Sequence, residues 1–299
     1  MLAFLWANTP VIGVSAVMVS MGITLTFSDF ATVLKRPKPI FVGFCGQTFV
    51  PGCVVFLLAT LFRLPEAIAL GMMVIAACPG GATSNAFSVM ARGDAALSIS
   101  LTAVSSIFAF LTVPSIIGIG TALFGGPDSG VTLNFAQTAL KVFSNTVVPL
   151  ALGMGLRRLL PVFSVKLVKP LLYGGLGVLI LPTFTFFDQF GALLTGRDTL
   201  AASTAILLNV CAMLAGLALG RICRLPPMQA RTLSIEVGIQ NYGLVLIIIV
   251  TYLEDLRLLL PAIFYLPSMY LTGFFMVLLA NKFSGGDHLR TDKKAPQHS

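Results

Sequence analysis

The stretch Thr232-Leu233-Ser234-Ile235-Glu236-Val237-Gly238-Ile239-Gln240-Asn241-Tyr242-Gly243 runs directly into Leu244-Val245-Leu246-Ile247-Ile248-Ile249-Val250. One carboxylate and two amides, Glu236, Gln240 and Asn241, therefore fall inside a segment otherwise apolar enough to span a bilayer. A charged group at that depth is costly and marks an ion or substrate path. Gly238 and Gly243 predict a helix that breaks there. A second interruption, Pro79-Gly80-Gly81-Ala82-Thr83-Ser84-Asn85, lies in the first half of the chain. Two broken polar helices, one in each half, are the pattern of a secondary transporter.

Composition around these stretches agrees. The chain of 299 residues is 57% hydrophobic and 10% charged, with a mean hydropathy of +0.95. Soluble domains carry about 25% charged residues, so the chain reads as an all-α polytopic membrane protein. The 28 glycines and 17 prolines fit a bundle in which neighbouring helices satisfy freed backbone groups. Nine apolar segments are long enough to span: roughly 4–27, 40–62, 66–91, 95–124, 133–160, 170–187, 199–221, 228–253 and 258–282.

The net charge of +8 is distributed by side. With the N-terminus outside, the inside connections carry Lys35, Arg36, Lys38, Arg92, Arg157, Arg158, Lys166, Lys169, Arg221, Arg224 and Arg231, and the tail adds Lys282, Arg290, Lys293 and Lys294. The outside connections carry Arg63, Arg197 and Arg257, and Lys141 lies within the fifth segment. That asymmetry predicts nine spans, N-terminus outside and C-terminus cytoplasmic. It makes the basic excess topological, with anionic lipid rather than nucleic acid as its contact. The first segment has no basic leader and reads as a retained span. Cys45, Cys53, Cys78, Cys211 and Cys223 form no CxxC pair and read as small buried residues. Residues 284–299 read as a disordered cytoplasmic tail. The remainder, 1–283, reads as a single transmembrane domain.

The halves echo each other. Arg63-Leu64-Pro65 opens the third segment and Arg224-Leu225-Pro226 the eighth. Each is followed by a span that loses helical character at glycine and then shows an asparagine, Asn85 or Asn241. An offset of five spans is odd, so the copies would run in opposite directions, as inverted repeats do. A helix broken at membrane depth exposes carbonyls and amides. Carbonyl oxygens together with a carboxylate and hydroxyls make a hard-oxygen cage suited to Na⁺, whereas soft metals prefer Cys or His. The two histidines, His288 and His298, lie in the tail. Ser98 and Thr102 are four apart and share a helix face, and Gln47 is a further amide within a span. Taken singly, each has a plainer reading: Ser98 and Thr102 bonding back to their own helix, Gln47 joining helices, Ser84-Asn85 capping a half-helix.

Three stretches carry a resemblance: Cys78-Pro79-Gly80-Gly81-Ala82-Thr83-Ser84-Asn85, Ala91-Arg92-Gly93-Asp94-Ala95-Ala96-Leu97-Ser98, and Glu236-Val237-Gly238-Ile239-Gln240-Asn241. Together they resemble the bile acid:sodium symporter family along nearly the whole chain. The resemblance implies a panel domain (helices near 4–27, 133–160 and 170–187) against a core domain (near 40–124 and 199–282) that holds two crossing discontinuous helices. It implies two sodium sites. The first would use Ser84, Asn85, Ser98, Thr102 and Glu236; the second Gln47, Glu236, Gln240 and the carbonyls of Val237 and Ile239. Substrate contacts would come from Asn241, Ala82 and Thr83. Relative to the family pattern, Ala82-Thr83 is reversed in order. Tyr242 stands where a small residue follows the Gln-Asn pair, and Met269-Tyr270 where bacterial members carry His-Asn. All three changes bear on which substrate is bound. The short N-terminus resembles the shorter animal members.

The expected activity is sodium-coupled symport of an organic anion (a bile-acid-like steroid, pantoate or a short keto acid) by alternating access across the plasma or inner membrane. Two rivals stand beside it: a proton-coupled carrier with Glu236 titrating alone, and an arsenite-type efflux carrier using Cys78. An intramembrane enzyme is disfavoured, because the spans carry no HExxH, GxSxG or paired catalytic aspartates.

Overall fold

The computed structural model of the chain describes residues 2–26, 35, 37–125, 134–185 and 198–291. Among these the chain is all-helical. The helices are α1 (Leu2–Thr24), α2 (Pro37–Phe62), α3 (Glu66–Ala77), α4 (Ala82–Met90), α5 (Ala95–Phe124) and α6 (Phe135–Leu159). They continue with α7 (Pro161–Thr185), α8 (Asp198–Ile222), α9 (Pro227–Gly238), α10 (Tyr242–Leu253) and α11 (Leu259–Thr291). Within α6 the turn Phe143–Val147 is π-helical, as is Ile248–Leu253 at the end of α10.

Five helical segments among the described residues are long and apolar enough to cross a membrane: Pro37–Phe62, Ala95–Phe124, Phe135–Leu159, Asp198–Ile222 and Leu256–Lys282. The chain is an integral membrane protein. The third and eighth expected spans are each divided in two, as α3/α4 and α9/α10. Phe27, Leu133 and Phe187 at expected span ends, and the basic residues Arg36, Arg197, Lys293 and Lys294, lie outside the described residues. The last helix runs to Thr291, past the expected start of the tail at Ser284, since extending a helix costs less than nucleating one. Residues 292–299 lie outside the described residues.

The first break follows from Pro79, which disfavours helical geometry in the residue before it. Cys78 is extended at φ −75°, ψ 140°, and Gly81 is extended as the N-cap of α4. The second follows Gly238, where Ile239 adopts φ −109°, ψ 103°. Asn241 then caps α10, its side-chain oxygen accepting from Leu244 N at 3.2 Å. The two extended stretches meet: Gly80 and Gln240 form an antiparallel bridge, and Asn241 N–H donates to the Pro79 carbonyl at 2.8 Å. Backbone groups freed by one break are thus satisfied by the other, which a lipid environment demands.

The two Arg-Leu-Pro copies share a local geometry. Arg63 and Arg224 both adopt the left-handed region, at φ 48° and 54°. Leu64 N–H reaches back to the Ala59 carbonyl at 3.0 Å, and Leu225 N–H to the Gly220 carbonyl at 2.9 Å. These six-to-one closures end α2 and α8 in the Schellman manner. Pro65 and Pro226 then open α3 and α9.

Helix α1 packs on α6 and α7, while α2–α5 and α8–α11 pack mainly on one another. Between α1 and α6 the backbones touch, because a side chain at Gly22 or Gly153 would collide with the Leu150 or Val19 carbonyl. Helix α2 turns Phe41, Phe49 and Phe56 outward and buries Gln47, setting an apolar face to lipid and a polar residue to the site.

Candidate functional site

Glu236 is wholly buried in the last turn of α9. Its Oε1 accepts from Ser98 Oγ at 2.5 Å, and its Oε2 from Thr102 Oγ1 at 3.0 Å. Both hydroxyls also lie against Asn85 Oδ1, Ser98 at 2.8 Å and Thr102 at 3.0 Å. Thr102 additionally faces the Ser98 carbonyl at 2.9 Å, so back-bonding to its own helix occurs without turning it away from Glu236. Helices α4, α5 and α9 thus converge on one cluster of oxygens.

A hydroxyl carries one hydrogen. Ser98 has two acceptor oxygens within reach and Thr102 has three. Each hydroxyl proton is thus shared among several acceptors, and Ser84 and Gln47 also reach the Glu236 carboxylate. A buried carboxylate ringed by hydroxyl and amide oxygens is a hard-oxygen set that fits a small cation.

Gly80 explains how the first break approaches the acid. A Cβ on Gly80 would sit 2.7 Å from Glu236 Oε2, 2.5 Å from Gln47 Nε2 and 3.0 Å from Ser84 Oγ. Ser84, fully buried, donates to the Gly81 carbonyl at 2.8 Å, leaving its lone pairs to accept.

The carbonyls freed at the end of α9 are taken in order. Ile235 O accepts from Ile239 N at 2.8 Å, Glu236 O from Gln47 Nε2 at 3.0 Å, and Val237 O from Gln240 Nε2 at 2.9 Å. Gly238 O accepts two donors, Asn209 Nδ2 and Tyr265 OH, each at 2.7 Å. Gln47 and Gln240 are each anchored by the amide nitrogen, and the oxygens Gln47 Oε1 and Gln240 Oε1 are buried without a hydrogen-bond partner. Buried acceptors are costly when unsatisfied. Two orphaned amide oxygens held on adjacent carbonyls fit a second cation position.

Asn241 Nδ2 is likewise buried with no hydrogen-bond partner. A side chain at Gly81 would come 3.4 Å from Asn241 Cβ, so this free donor lies against the start of α4. Ala82 and Thr83, half-buried, occupy the first turn of that helix.

Residues 11–197 match the model of the sodium bile acid symporter family. The chain belongs to that family. The sodium bile acid symporter family is one of transporters rather than enzymes, and curated relatives carry names in keeping with it. The probable sodium/metabolite cotransporter BASS1, chloroplastic, of Arabidopsis thaliana is 31% identical over 242 residues, 78% of this chain and 57% of its own length. Human P3 protein is 31% identical over 246 residues, 80% of this chain and 50% of its own. The uncharacterized sodium-dependent transporter YocS of Bacillus subtilis is 26% identical over 263 residues, 87% of this chain and 80% of its own. The chain thus spans about half the length of the plant and human relatives.

Within this family member, sequence reading misses Asn209, Tyr265 and Thr272. Thr272 Oγ1 donates to Asn209 Oδ1 at 2.6 Å, which fixes the amide that holds Gly238. Asn209 carries a legible signal, a lone amide inside the apolar run Ile206-Leu207-Leu208-Asn209-Val210. Tyr265 and Thr272 carry none, since aromatic and hydroxyl residues are common in such helices.

Proposed function

We propose that this chain is a secondary active transporter that couples Na⁺ to the entry of a small organic anion. The observation that carries the reading is the convergence of the buried Glu236 carboxylate, the Ser98 and Thr102 hydroxyls and the Asn85 amide oxygen on one point. A cation there would meet a hard-oxygen set, and the orphaned oxygens of Gln47 and Gln240 support a second. Ser84, Asn85, Ser98, Thr102 and Glu236 hold the first Na⁺. Gln47, Glu236, Gln240 and the carbonyls of Val237 and Ile239 hold the second.

One carboxylate between two Na⁺ leaves the locale net positive. An anionic carboxylate or sulfate then binds beside it, met by the free Asn241 amide and by the backbone at Ala82 and Thr83, where the N-terminus of α4 favours negative charge. Ion and anion stabilise each other through one coupling free energy, which is reciprocal. Bile-acid-like steroids, pantoate and short keto acids are the candidate classes.

Nine spans, the inverted repeat and a panel of α1, α6 and α7 rocking against the remaining core complete the proposal. The matched Arg-Leu-Pro turns and the meeting of the two breaks support the repeat. The separate packing of α1, α6 and α7 supports the panel. The charge asymmetry supports an outside N-terminus and a cytoplasmic C-terminus in a cell membrane.

The test is uptake of taurocholate, pantoate and pyruvate into proteoliposomes, with an inward gradient of NaCl or of choline chloride, and separately with a pH gradient. Sodium-stimulated uptake of one anion is expected, and Glu236→Gln is expected to abolish the stimulation while the protein stays folded. Undiminished sodium dependence in that variant refutes the assignment, and uptake driven by the pH gradient alone supports the proton-coupled alternative.

A further inference from the structure

The carbonyl of Gly238 is treated unlike its neighbours. Glu236 O and Val237 O each receive one amide donor from a residue of the proposed ion site. Gly238 O receives two donors, from α8 and from α11, and neither belongs to that site. Asn209 and Tyr265 are both fully buried. Two donors fill both lone pairs of a carbonyl oxygen, which removes Gly238 O from the oxygens available to a cation.

The same pair of bonds does more than saturate one atom. Ile239 is extended, and across an extended residue successive carbonyls point to opposite sides. Pinning Gly238 O toward α8 and α11 therefore turns Ile239 O the other way, toward the facing break at Gly80 with which this stretch is bridged. Thr272 braces the arrangement, because its hydroxyl holds Asn209 Oδ1 and so presents the amide nitrogen to Gly238.

We propose that Asn209 and Tyr265, with Thr272 behind Asn209, form a clamp on the Gly238 carbonyl that aims the Ile239 carbonyl and thereby sets the sodium affinity of the site containing Gln240. These are positioning residues: they touch neither ion nor anion. The inference rests on the sodium reading given above and names a determinant of it on two helices that contribute none of its ligands.

The experiment is thermal unfolding of the purified protein in rising NaCl, with choline chloride making up constant ionic strength. Wild type is expected to gain stability saturably with Na⁺. Tyr265→Phe, which deletes one hydroxyl, and Asn209→Ala are each expected to raise the half-saturating Na⁺ concentration by about tenfold, the scale on which outer partners of a metal ligand act. Their unfolding temperature in choline chloride should change little by comparison. Thr272→Val should move half-saturation in the same direction by less.

Ser234→Ala is the control. Ser234 joins the same stretch of α9 to α8, donating to Met213 O at 2.8 Å, and its loss should lower stability equally in both salts without moving half-saturation. Should Asn209→Ala fail to fold, Tyr265→Phe and Thr272→Val carry the test. If those variants are folded and keep the wild-type half-saturation, the clamp is refuted while the sodium reading stands. If wild type itself gains nothing from Na⁺ over choline, the sodium reading falls and the clamp with it.

Discussion

At the residue scale, Gly80 is the position with the least room for change. A methyl group there would enter the space between Glu236 Oε2, Gln47 Nε2 and Ser84 Oγ, at 2.5–3.0 Å from each. Gly80→Ala is expected to cost about 1–3 kcal/mol of stability, as overpacking does, and to displace the carboxylate from its hydroxyl partners. Thermal unfolding and the sodium dependence of uptake check this together, and an alanine variant with wild-type half-saturation would contradict it. Most of the cluster is legible in the sequence, because a carboxylate or amide in an apolar run has a desolvation cost that only a partner explains. Gln47, Asn85, Ser98, Thr102 and Glu236 all come together. The role of glycine at position 80 is not legible there, since the break alone accounts for a glycine and the approach of Gln47 is a tertiary fact.

At the element scale, the turn between α4 and α5 is held to the start of α9 by a polar latch. Thr232 Oγ1 accepts from Asp94 N at 2.8 Å and shares a hydrogen bond with Ser88 Oγ at 3.0 Å. Gln229 donates to Asp94 Oδ2 at 3.1 Å, and Arg231 donates to the Ala91 carbonyl at 2.8 Å. The latch ties α4, which carries Ser84 and Asn85, to α9, which carries Glu236. Thr232→Val keeps the shape and removes a hydrogen bond from each of two groups, so a loss of about 1–3 kcal/mol is expected. Thr60→Val is the comparison, since Thr60 is exposed and bonds only its own helix at Phe56 O; it should be near neutral. Equal unfolding temperatures for the two variants would remove the latch from the account. Helix breaks are legible from Pro79 and the glycines, whose backbone chemistry is local. The latch is not, because Ser88, Asp94 and Thr232 are ordinary helix-end and helix-face residues until α9 is laid across the turn.

At the scale of the whole molecule, α6 and α10 meet through their π-helical turns. Asn145 Nδ2 donates to Tyr252 OH at 2.7 Å, Tyr252 OH donates to the Lys141 carbonyl at 3.1 Å, and the Lys141 ammonium sits 5.2 Å from the Tyr252 ring centre. This contact is one of those that join α1, α6 and α7 to the rest, so the rocking proposed above would load it. Asn145→Ala is expected to remove about 1 kcal/mol, roughly a fivefold change in the balance between joined and parted states. Maximal uptake should change while the half-saturating sodium concentration does not, which separates this position from Glu236. A matched shift in both quantities would place Asn145 in ion binding instead. The sequence by itself determined the membrane class, the two breaks, the family and the polar residues that would cluster, because desolvation cost and proline and glycine geometry act through local chemistry. Only the tertiary structure decided which oxygens gather around Glu236, which carbonyl each side chain takes, and that Asn209 and Tyr265 hold Gly238. Those facts depend on helices far apart in the chain coming within hydrogen-bond distance, and no local rule of the backbone encodes that distance.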